Sequence, residues 1–475
     1  MPEVIDSCLQ HLKIGYFLFL LILPLLFAIS YLASKINLKV YKIYQLLIGI
    51  IYYFLLLEGN LKPFILFILL ILMNIILLYI LKFSKHKNIY FLKFKADKFF
   101  FILAIFLNLL PLIFMKDYIS LIKFEPNYFI QIIGLSYFVL NSISMFVDYY
   151  EDKFEKFSVL DIAVYSIYFP KIFAGPLVRF KDFIDELNNN YKNKSFLTLN
   201  FGLFLISIGI IKKWLADYIF QYATNVINNP LGYSGEQLFI TIYIYTLYIF
   251  LDFSGYTDIA RGTSTIMGIN LPENFRSPYL AKNLRDFWRR WHITLYEWIR
   301  DYIYIKLLGG NRKGTVRTYI NILIAFTLSG IWHGNYINYV VWGFFHGIGV
   351  ILSRFYKGKS FKEIFIGWFI TFNSVAILWI IFAITDLDKI IIYFQNLVLN
   401  FNPEGLLAFI VGRYDIVIVM LIGYTIAFTD WKIKDVISNL EDEKILVIFN
   451  FAMYIFALLL LNNKVAVSPF LYESF

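Results

Sequence analysis

Long apolar runs are the feature that most constrains how this chain can fold. Several have about the ~17–25 residues needed to cross a bilayer, and others are shorter and would need tilting or flanking aromatic residues to cross. The longer runs are Ile14–Leu32, Phe64–Leu81, Phe99–Met115, Tyr128–Val147, Ile364–Ile384 and Ile445–Leu461; the shorter runs are Ile43–Leu57, Phe239–Leu251, Tyr319–Trp332, Tyr339–Leu352 and Ile416–Phe428. Since 60% of the 475 residues are hydrophobic and 16% charged, the apolar surface exceeds what a soluble domain buries. We therefore predict an all-α polytopic membrane protein with about 11–12 transmembrane helices, forming a single domain over residues 1–475.

Charge in the loops predicts the orientation of these helices. Lysines concentrate in the loop after the first run and in the loop of residues 82–98, whereas the alternate loops are nearly neutral. The positive-inside rule then places the amino terminus outside. The same bias accounts for the net charge of +10, so a nucleic-acid partner is not expected.

Two segments are apolar but poorly suited to span a membrane. Asp161–Phe173 is short and leads into Phe169–Arg179, where two prolines and a glycine break any helix. We interpret it as a re-entrant or interfacial segment. Further along, Lys212, Lys213 and Asp217 interrupt an apolar helix. They either face the protein interior, with Lys213 pairing to Asp217 one turn away, or snorkel to the lipid headgroups.

The segment from Asp252 to Arg317 is the least membrane-like part of the chain. It holds eleven Lys or Arg against six acidic residues, which places it on the cytoplasmic side. Tryptophans and tyrosines are mixed among the charges, as in short helices that lie at or dip into the interface. A turn at residues 309–314, rich in glycine, ends the segment.

Three of the five histidines lie between residues 252 and 346. His333 follows an apolar helix between Trp332 and Gly334, and a neutral imidazole there is suited to act as a general base. A structural histidine bonded to a backbone carbonyl is the alternative, although Ser329 lies one helical turn away. His346 lies in a glycine-rich apolar helix, where helix packing is the simpler role.

His292 follows a Trp288-Arg289-Arg290-Trp291 cluster. Guanidinium groups near tryptophan faces suit a phosphate or carboxylate held against an aromatic wall. Anchoring in the lipid headgroup layer would explain the same cluster.

Other catalytic classes lack their motifs in this sequence. There is no His-x-x-His, Glu-x-x-His or Cys-x-x-Cys spacing for a metal, no P-loop, and no Gly-x-Ser-x-Gly turn around a nucleophilic serine. We expect neither a metal nor a bound cofactor. The absence of an internal repeat also removes the support that an inverted-repeat transporter would need.

Taken in order, several motifs resemble those of the membrane-bound O-acyltransferase family, most closely its bacterial branch that acetylates alginate and peptidoglycan. They are Asp252-Phe-Ser-Gly-Tyr-Thr-Asp258, Pro272-Glu-Asn-Phe275, Phe287-Trp-Arg-Arg-Trp-His292, Leu308-Gly-Gly-Asn-Arg-Lys-Gly314, Trp332-His-Gly334, the upstream Phe169-Pro170 and Ala174-Gly-Pro176, the Lys212-Lys213…Asp217 group and the terminal Ser468–Tyr472. The likeness is close over residues 160–346.

The resemblance implies a fold, an activity and a site. The helices would surround a central funnel or tunnel, His333 would match the family's essential histidine, and His292 its second one. The protein would lie in a bacterial cytoplasmic (inner) membrane, and an acyl donor, acetyl-CoA by expectation, would enter from the cytoplasm. The acceptor would be a hydroxyl of an exported polysaccharide or peptidoglycan, or a partner protein such as a periplasmic acyltransferase.

Charge and position add candidates for binding the donor. Arg289, Arg290 and Lys282 would meet its phosphates, with Asn274 and Asp286 as supporting partners and Trp288 and Trp332 as aromatic walls. Three alternatives stay open at this point: D-alanyl transfer to teichoic acid, a transporter whose path is lined by Lys212, Lys213 and Asp217, and a scaffold without chemistry of its own.

Overall fold

The computed structural model describes residues 22–87, 90–91, 94–115, 132–192, 196–438 and 443–461. Residues 14–21 of the first predicted span, residues 128–131 of the span Tyr128–Val147, and the terminal motif Ser468–Tyr472 lie outside these residues.

Within this part of the chain, helices account for nearly all regular structure. In chain order they are α1 (Ile22–Ile36), α2 (Leu38–Leu56), α3 (Leu61–Lys87), α4 (Ala96–Met115), α5 (Leu135–Tyr150), α6 (Val159–Ile167), α7 (Phe180–Asn190), α8 (Phe196–Asn228), α9 (Gly235–Ile266), α10 (Leu284–Trp288), α11 (Ile293–Trp298), α12 (Thr315–His333), α13 (Ile337–Leu352), α14 (Phe361–Ala383), α15 (Leu387–Leu399), α16 (Pro403–Gly412), α17 (Tyr414–Ser438) and α18 (Glu443–Leu461). A hairpin of two short antiparallel strands, β1 (Tyr90–Phe91) and β2 (Phe94–Lys95), precedes α4. A π-helix, Ile299–Leu307, follows α11.

Seven helices among the described residues are long and apolar enough to cross a membrane, and four shorter apolar helices accompany them. The seven are Leu38–Leu56, Leu61–Lys87, Ala96–Phe114, Thr198–Asn228, Gly235–Ile266, Phe361–Ala383 and Tyr414–Ser438; the four are Ile22–Ile36, Ile337–Leu352, Pro403–Gly412 and Val447–Leu460. The predicted fold class, an all-α polytopic membrane protein, is confirmed.

The boundary predicted at Asp252 is wrong. The sequence pattern ends a span at Leu251 because Asp252, Ser254 and Asp258 follow it, but α9 continues without a break to Ile266. The two aspartates stay inside the helix because each accepts a hydrogen bond from a buried lysine of a neighbouring helix, so neither charge needs water. The surface segment predicted for residues 252–317 therefore begins only after α9.

Contacts divide the chain into two compact units, and each is described by itself. The first comprises the described residues up to Leu203 together with Ala260–Pro272. In it, α2 packs on α6 and is joined to it by an ion pair between Lys42 and Asp161 at 2.6 Å. Asp161 also closes a capping box with Ser158 at the start of α6, which explains why a helix begins there.

The re-entrant prediction falls in this first unit. In place of a span, the structure has the nine-residue helix α6 followed by a single 3₁₀ turn over Phe169–Lys171. The turn is buried, and Tyr168 just before it bonds to Ser264 at 2.9 Å. The segment is thus a short helix that ends inside protein, as its prolines require.

The second unit comprises Phe204–Ile259 and the described residues from Glu273 onward. Its centre is the hairpin of α12 and α13, which cross so closely that a Cβ atom on Gly330 would lie 2.1 Å from the carbonyl oxygen of Tyr339. The following helix, α14, is tied to this hairpin because the side-chain amide of Asn338 donates to the carbonyls of Ile381 and Phe382, both at 3.0 Å. Interfaces of small residues with amide hydrogen bonds are typical of membrane helices.

Two short helices follow α14 in a stretch where the sequence pattern is ambiguous. The first is α15, and its Asn396 donates to the carbonyl of Pro230 at 2.6 Å. The second helix, α16, is capped by the side chain of Asn402, which accepts from the backbone of Glu404.

Candidate active site

His333 is the last residue of α12 and is 4% exposed. Aromatic rings surround its imidazole: Trp332 at 4.9 Å, Phe382 at 5.1 Å and Trp342 at 5.3 Å between ring centroids, the last two nearly perpendicular. Trp342 reaches the imidazole because the α12–α13 hairpin is so tight. The histidine therefore lies in an apolar, aromatic environment within the second unit.

His292 is the residue that immediately precedes α11. Its φ of 44° is in the left-handed region, it is 1% exposed, and its ring stands edge-on to Phe253 at 4.7 Å. Burial lowers the pKa of His292 to about 3, so its imidazole is neutral at physiological pH. A neutral ring can orient a ligand by hydrogen bonding but brings no positive charge to an anionic donor.

The third histidine of the region, His346, is fully buried on α13. Its Nδ1 accepts a hydrogen bond from the indole Nε1 of Trp288 at 3.2 Å. Because Nδ1 is the acceptor, the proton of this imidazole is on Nε2.

A cavity of about 550 Å³ lies in the second unit, and its lining includes Trp288, which donates to His346, and Ile293, which follows His292. One group of its lining residues is basic, and a second is apolar. The basic group is Arg285, Arg289, Arg300, Arg312 and Arg354, with Glu297 as the acidic member; the apolar group includes Ile293, Leu295, Ile322, Ala325 and Phe326.

The cavity extends along α12 towards the catalytic candidate. Ile322, Ala325, Phe326 and Ser329 line it in succession, which corresponds to about 10 Å of helix at ~1.5 Å per residue. His333 comes one turn after Ser329 on the same helix. A ligand with an anionic head and a reactive group at its far end thus matches the cavity in charge and length.

The structure brings together only some of the residues predicted to bind the donor. Trp288 and Arg289 line the cavity, and Trp332 packs on His333. The other four lie outside the lining. Arg290 pairs with Asp286 at 2.9 Å, and the backbone N–H of Lys282 donates to Asp286 at 3.3 Å.

Asn274 holds the local fold of this region. Its side-chain oxygen accepts from the backbone and hydroxyl of Thr294, at 3.2 and 2.6 Å, and its carbonyl accepts from the backbone N–H of Ile293. These contacts fix the first turn of α11 directly after His292.

Sequence reasoning did not single out Arg285, Arg300, Arg312, Arg354 and Phe326, which also line the cavity. Arg300 is in the π-helix, Arg312 in the glycine turn, and Arg354 follows α13. A signal existed for three of them, since Arg285, Arg300 and Arg312 belong to the basic segment. Nothing in the sequence linked Arg354 to that segment, because the α12–α13 hairpin separates them.

Lys212 and Lys213 are buried and ion-paired, which agrees with the first of the two alternatives, charges that face the protein interior, and not with snorkelling to the headgroups. Lys212 contacts Asp258 at 2.6 Å and Asp430 at 2.7 Å, and Lys434 contacts the same two aspartates at 2.6 and 2.7 Å. These four residues, which we call the ion ring, join α8, α9 and α17.

The neighbouring Lys213 makes its own buried pairs. It contacts Asp217 at 2.9 Å and Asp252 at 2.6 Å. The predicted pairing of Lys213 with Asp217 on one helix face is confirmed.

Comparison with known proteins identifies a matching family and several relatives of this chain. The sequence profile of MBOAT, the membrane-bound O-acyltransferase family, matches residues 128–394. A Pseudomonas putida protein named "Probable alginate O-acetylase AlgI" is 37% identical over 261 residues, 54% of this chain and 53% of that protein. The peptidoglycan O-acetyltransferase of Helicobacter pylori is 33% identical over 300 residues, covering 56% of each chain.

A third relative carries a different name. The teichoic acid D-alanyltransferase of Bacillus subtilis is 30% identical over 278 residues, 54% of this chain and 69% of that protein. Against the first two relatives, the match spans about half of their length. The matched region includes His292, His333 and His346, all of which fall within the family profile. The chain belongs to the membrane-bound O-acyltransferase family.

Proposed function

We propose that this protein is a membrane O-acyltransferase, and specifically an O-acetyltransferase that modifies an exported cell-envelope glycan. The observation that carries the proposal is the cavity, which is lined by five arginines and extends along α12 to Ser329, one turn before the buried His333. Family membership and the names of two relatives as O-acetylating proteins support the same reaction class.

The donor in this proposal is a thioester with phosphates, such as acetyl-CoA. Arginine binds phosphate through several N–H donors in a fixed geometry, and the cavity offers Arg289, Arg312 and Arg354 among others. The arginines at 289 and 312 lie in the basic segment, which the positive-inside rule assigns to the cytoplasm. The donor would therefore enter from the cytoplasmic side of the inner membrane, with the amino terminus outside.

His333 acts as the general base in the proposed step. It takes the proton of the acceptor hydroxyl while the hydroxyl oxygen attacks the thioester carbonyl carbon, so that a C–O bond forms. The C–S bond then breaks, and the thiolate leaves with the proton returned by His333. The aromatic rings around His333 exclude water, which protects the thioester from hydrolysis.

The acceptor is a hydroxyl of a cell-envelope polysaccharide or of peptidoglycan, reached directly or through a periplasmic partner protein that carries the acyl group. The teichoic acid relative brings D-alanyl transfer into the comparison. The transporter alternative loses its main support, because Lys212, Lys213 and Asp217 are held in buried ion pairs, where they brace helices.

The test uses the full-length protein purified into proteoliposomes and given acetyl-CoA labelled in the acetyl group, with a cell-envelope glycan fraction as acceptor. We expect label in the glycan, and a loss on the order of 10²–10⁴-fold in His333→Ala. The exposed His86 supplies a matched control, since His86→Ala removes an imidazole far along the chain from the cavity.

Each other outcome removes one hypothesis. Transfer that persists in His333→Ala would overturn His333 as the base. A protein that neither consumes the donor nor becomes labelled would be a scaffold, and label delivered only from a D-alanyl thioester would select the teichoic acid reaction.

A further inference from the structure

The hydrogen bond between Trp288 and His346 fixes one wall of the cavity. Trp288 lines the cavity, and its indole N–H donates to Nδ1 of His346 at 3.2 Å. Both side chains are buried, at 4% and 0% exposure. A tryptophan N–H has a single proton to donate, so this bond selects one orientation of the indole.

Neighbouring aromatic rings fix the position of the Trp288 indole in the cavity wall. The Trp288 indole packs on Phe326, the cavity residue next to Ser329 on the α12 face, at 5.3 Å, and on Trp342 at 5.7 Å. Trp342 in turn lies 5.3 Å from His333. The indole thus closes the cavity at the end nearest the proposed base, where an acyl group would lie.

His346 is itself held from two sides. Its ring stacks with Phe287 at 6.2 Å and meets Trp342 at 4.7 Å. Because this imidazole has little freedom to move, its Nδ1 is a fixed acceptor, and the position of the indole follows from it.

We propose that Trp288, held in place by His346, limits the transferred group to a short acyl chain. Trp288 is the specificity-determining residue, and His346 is a positioning residue that acts through it. The proposal rests on the proposed function, since it takes the cavity to be the donor site. It assigns a task to His346, the one histidine of the region to which the proposed reaction gives no role.

Binding measurements on the full-length protein in lipid nanodiscs test the assignment. The probes are tritiated acetyl-CoA and hexanoyl-CoA, and the quantity compared is the ratio of their dissociation constants in each variant and in the wild type. Each methylene that gains a buried apolar site improves binding by about fourfold. We expect His346→Leu and Trp288→Ala to shift the ratio towards hexanoyl-CoA by about tenfold or more, through room for two further methylenes.

The informative contrast is between two substitutions of the same histidine. His346→Asn places a carbonyl oxygen where Nδ1 lies and is expected to restore the wild-type ratio, whereas His346→Leu removes the acceptor. Trp368→Phe is the matched control, because it deletes another indole hydrogen bond, to the carbonyl of Tyr279 at 2.8 Å, away from the cavity lining.

The outcomes separate this inference from the proposed function. Suppose that the wild type binds acetyl-CoA, and that His346→Leu and Trp288→Ala have the wild-type ratio of dissociation constants. The assignment of chain-length control is then overturned, and the donor site stands. The assignment is equally overturned if His346→Asn behaves like His346→Leu, or if Trp368→Phe shifts the ratio by the same factor. A wild type that binds neither probe would remove the donor site and this inference together.

Discussion

The ion ring of Lys212, Asp258, Lys434 and Asp430 gives the sharpest prediction about stability. Its four contacts are 2.6–2.7 Å long, and all four side chains are at most 5% exposed. Two lysines and two aspartates have a formal charge that sums to zero. Lys212→Met leaves two buried carboxylates beside one lysine, and Asp430→Asn leaves the opposite imbalance.

The expected cost follows from the burial. Removing one partner of a buried ion pair destabilises a protein by about 3–5 kcal/mol, because the remaining charge is left without compensation. At an unfolding entropy of roughly 1 kcal/mol per degree for a chain of this length, either single variant lowers the thermal midpoint by about 3–5 °C. The double variant keeps Lys434 facing Asp258, a pair with no net charge. Its loss of stability should therefore be much smaller than the sum of the two single losses.

Thermal unfolding of the purified protein in detergent, followed by tryptophan fluorescence, measures all three variants. A coupling of at least ~1 kcal/mol between the two substitutions is the expected result for residues of one network. Additive losses would mean that the charges do not compensate one another. A single variant as stable as the wild type would show that the ring does not hold the three helices together.

Three further predictions concern the hairpin, an arginine of the cavity lining and pH. Gly330→Ala should lower the thermal midpoint and the transfer rate, since its Cβ would lie 2.1 Å from a backbone oxygen, whereas Gly412→Ala, with nothing within 4 Å, should be neutral. Arg289→Gln should raise the KM for acetyl-CoA by about fivefold, an effect of ~1 kcal/mol that salt weakens, while Arg276→Gln, outside the lining, should leave it unchanged. Because burial lowers the pKa of His292 to about 3, its contribution to stability is complete above pH ~6.5 and is lost as pH falls towards 3; midpoints measured between pH 7.5 and 4.5 should decline less in His292→Phe.

The all-α membrane class could be predicted because spanning a bilayer demands a long apolar run, and such runs are visible in the sequence. The errors arose where polar residues stand inside helices. Asp252 and Asp258 indicated the end of a span because an unpaired carboxylate is excluded from a membrane helix. Their partners, Lys213 and Lys212, lie about 40 residues earlier in the chain, and hydropathy alone cannot match one to the other.

The candidate donor site was less predictable than the candidate base. Trp288 and Arg289 belong to one motif, and the combination of arginine with tryptophan identified them as candidates. Arg300 and Arg354 line the same cavity from a π-helix and from the end of α13, so their proximity depends on how three separate elements pack. No spacing within one segment encodes that packing.

The hairpin of α12 and α13 explains why the base could be found from sequence when its surroundings could not. Ser329 and His333 are four residues apart, as are Trp342 and His346, so each pair lies on one face of its helix. Gly330 and Gly343 meet at the crossing, with a Cβ on the first 3.4 Å from the Cα of the second. An antiparallel crossing at those two glycines sets Trp342 against His333 and leaves His346 one turn further on, beside Trp288. The chemistry proposed for His333 and the control of chain length proposed for Trp288 therefore depend on the same crossing, and a change at either glycine should disturb both together.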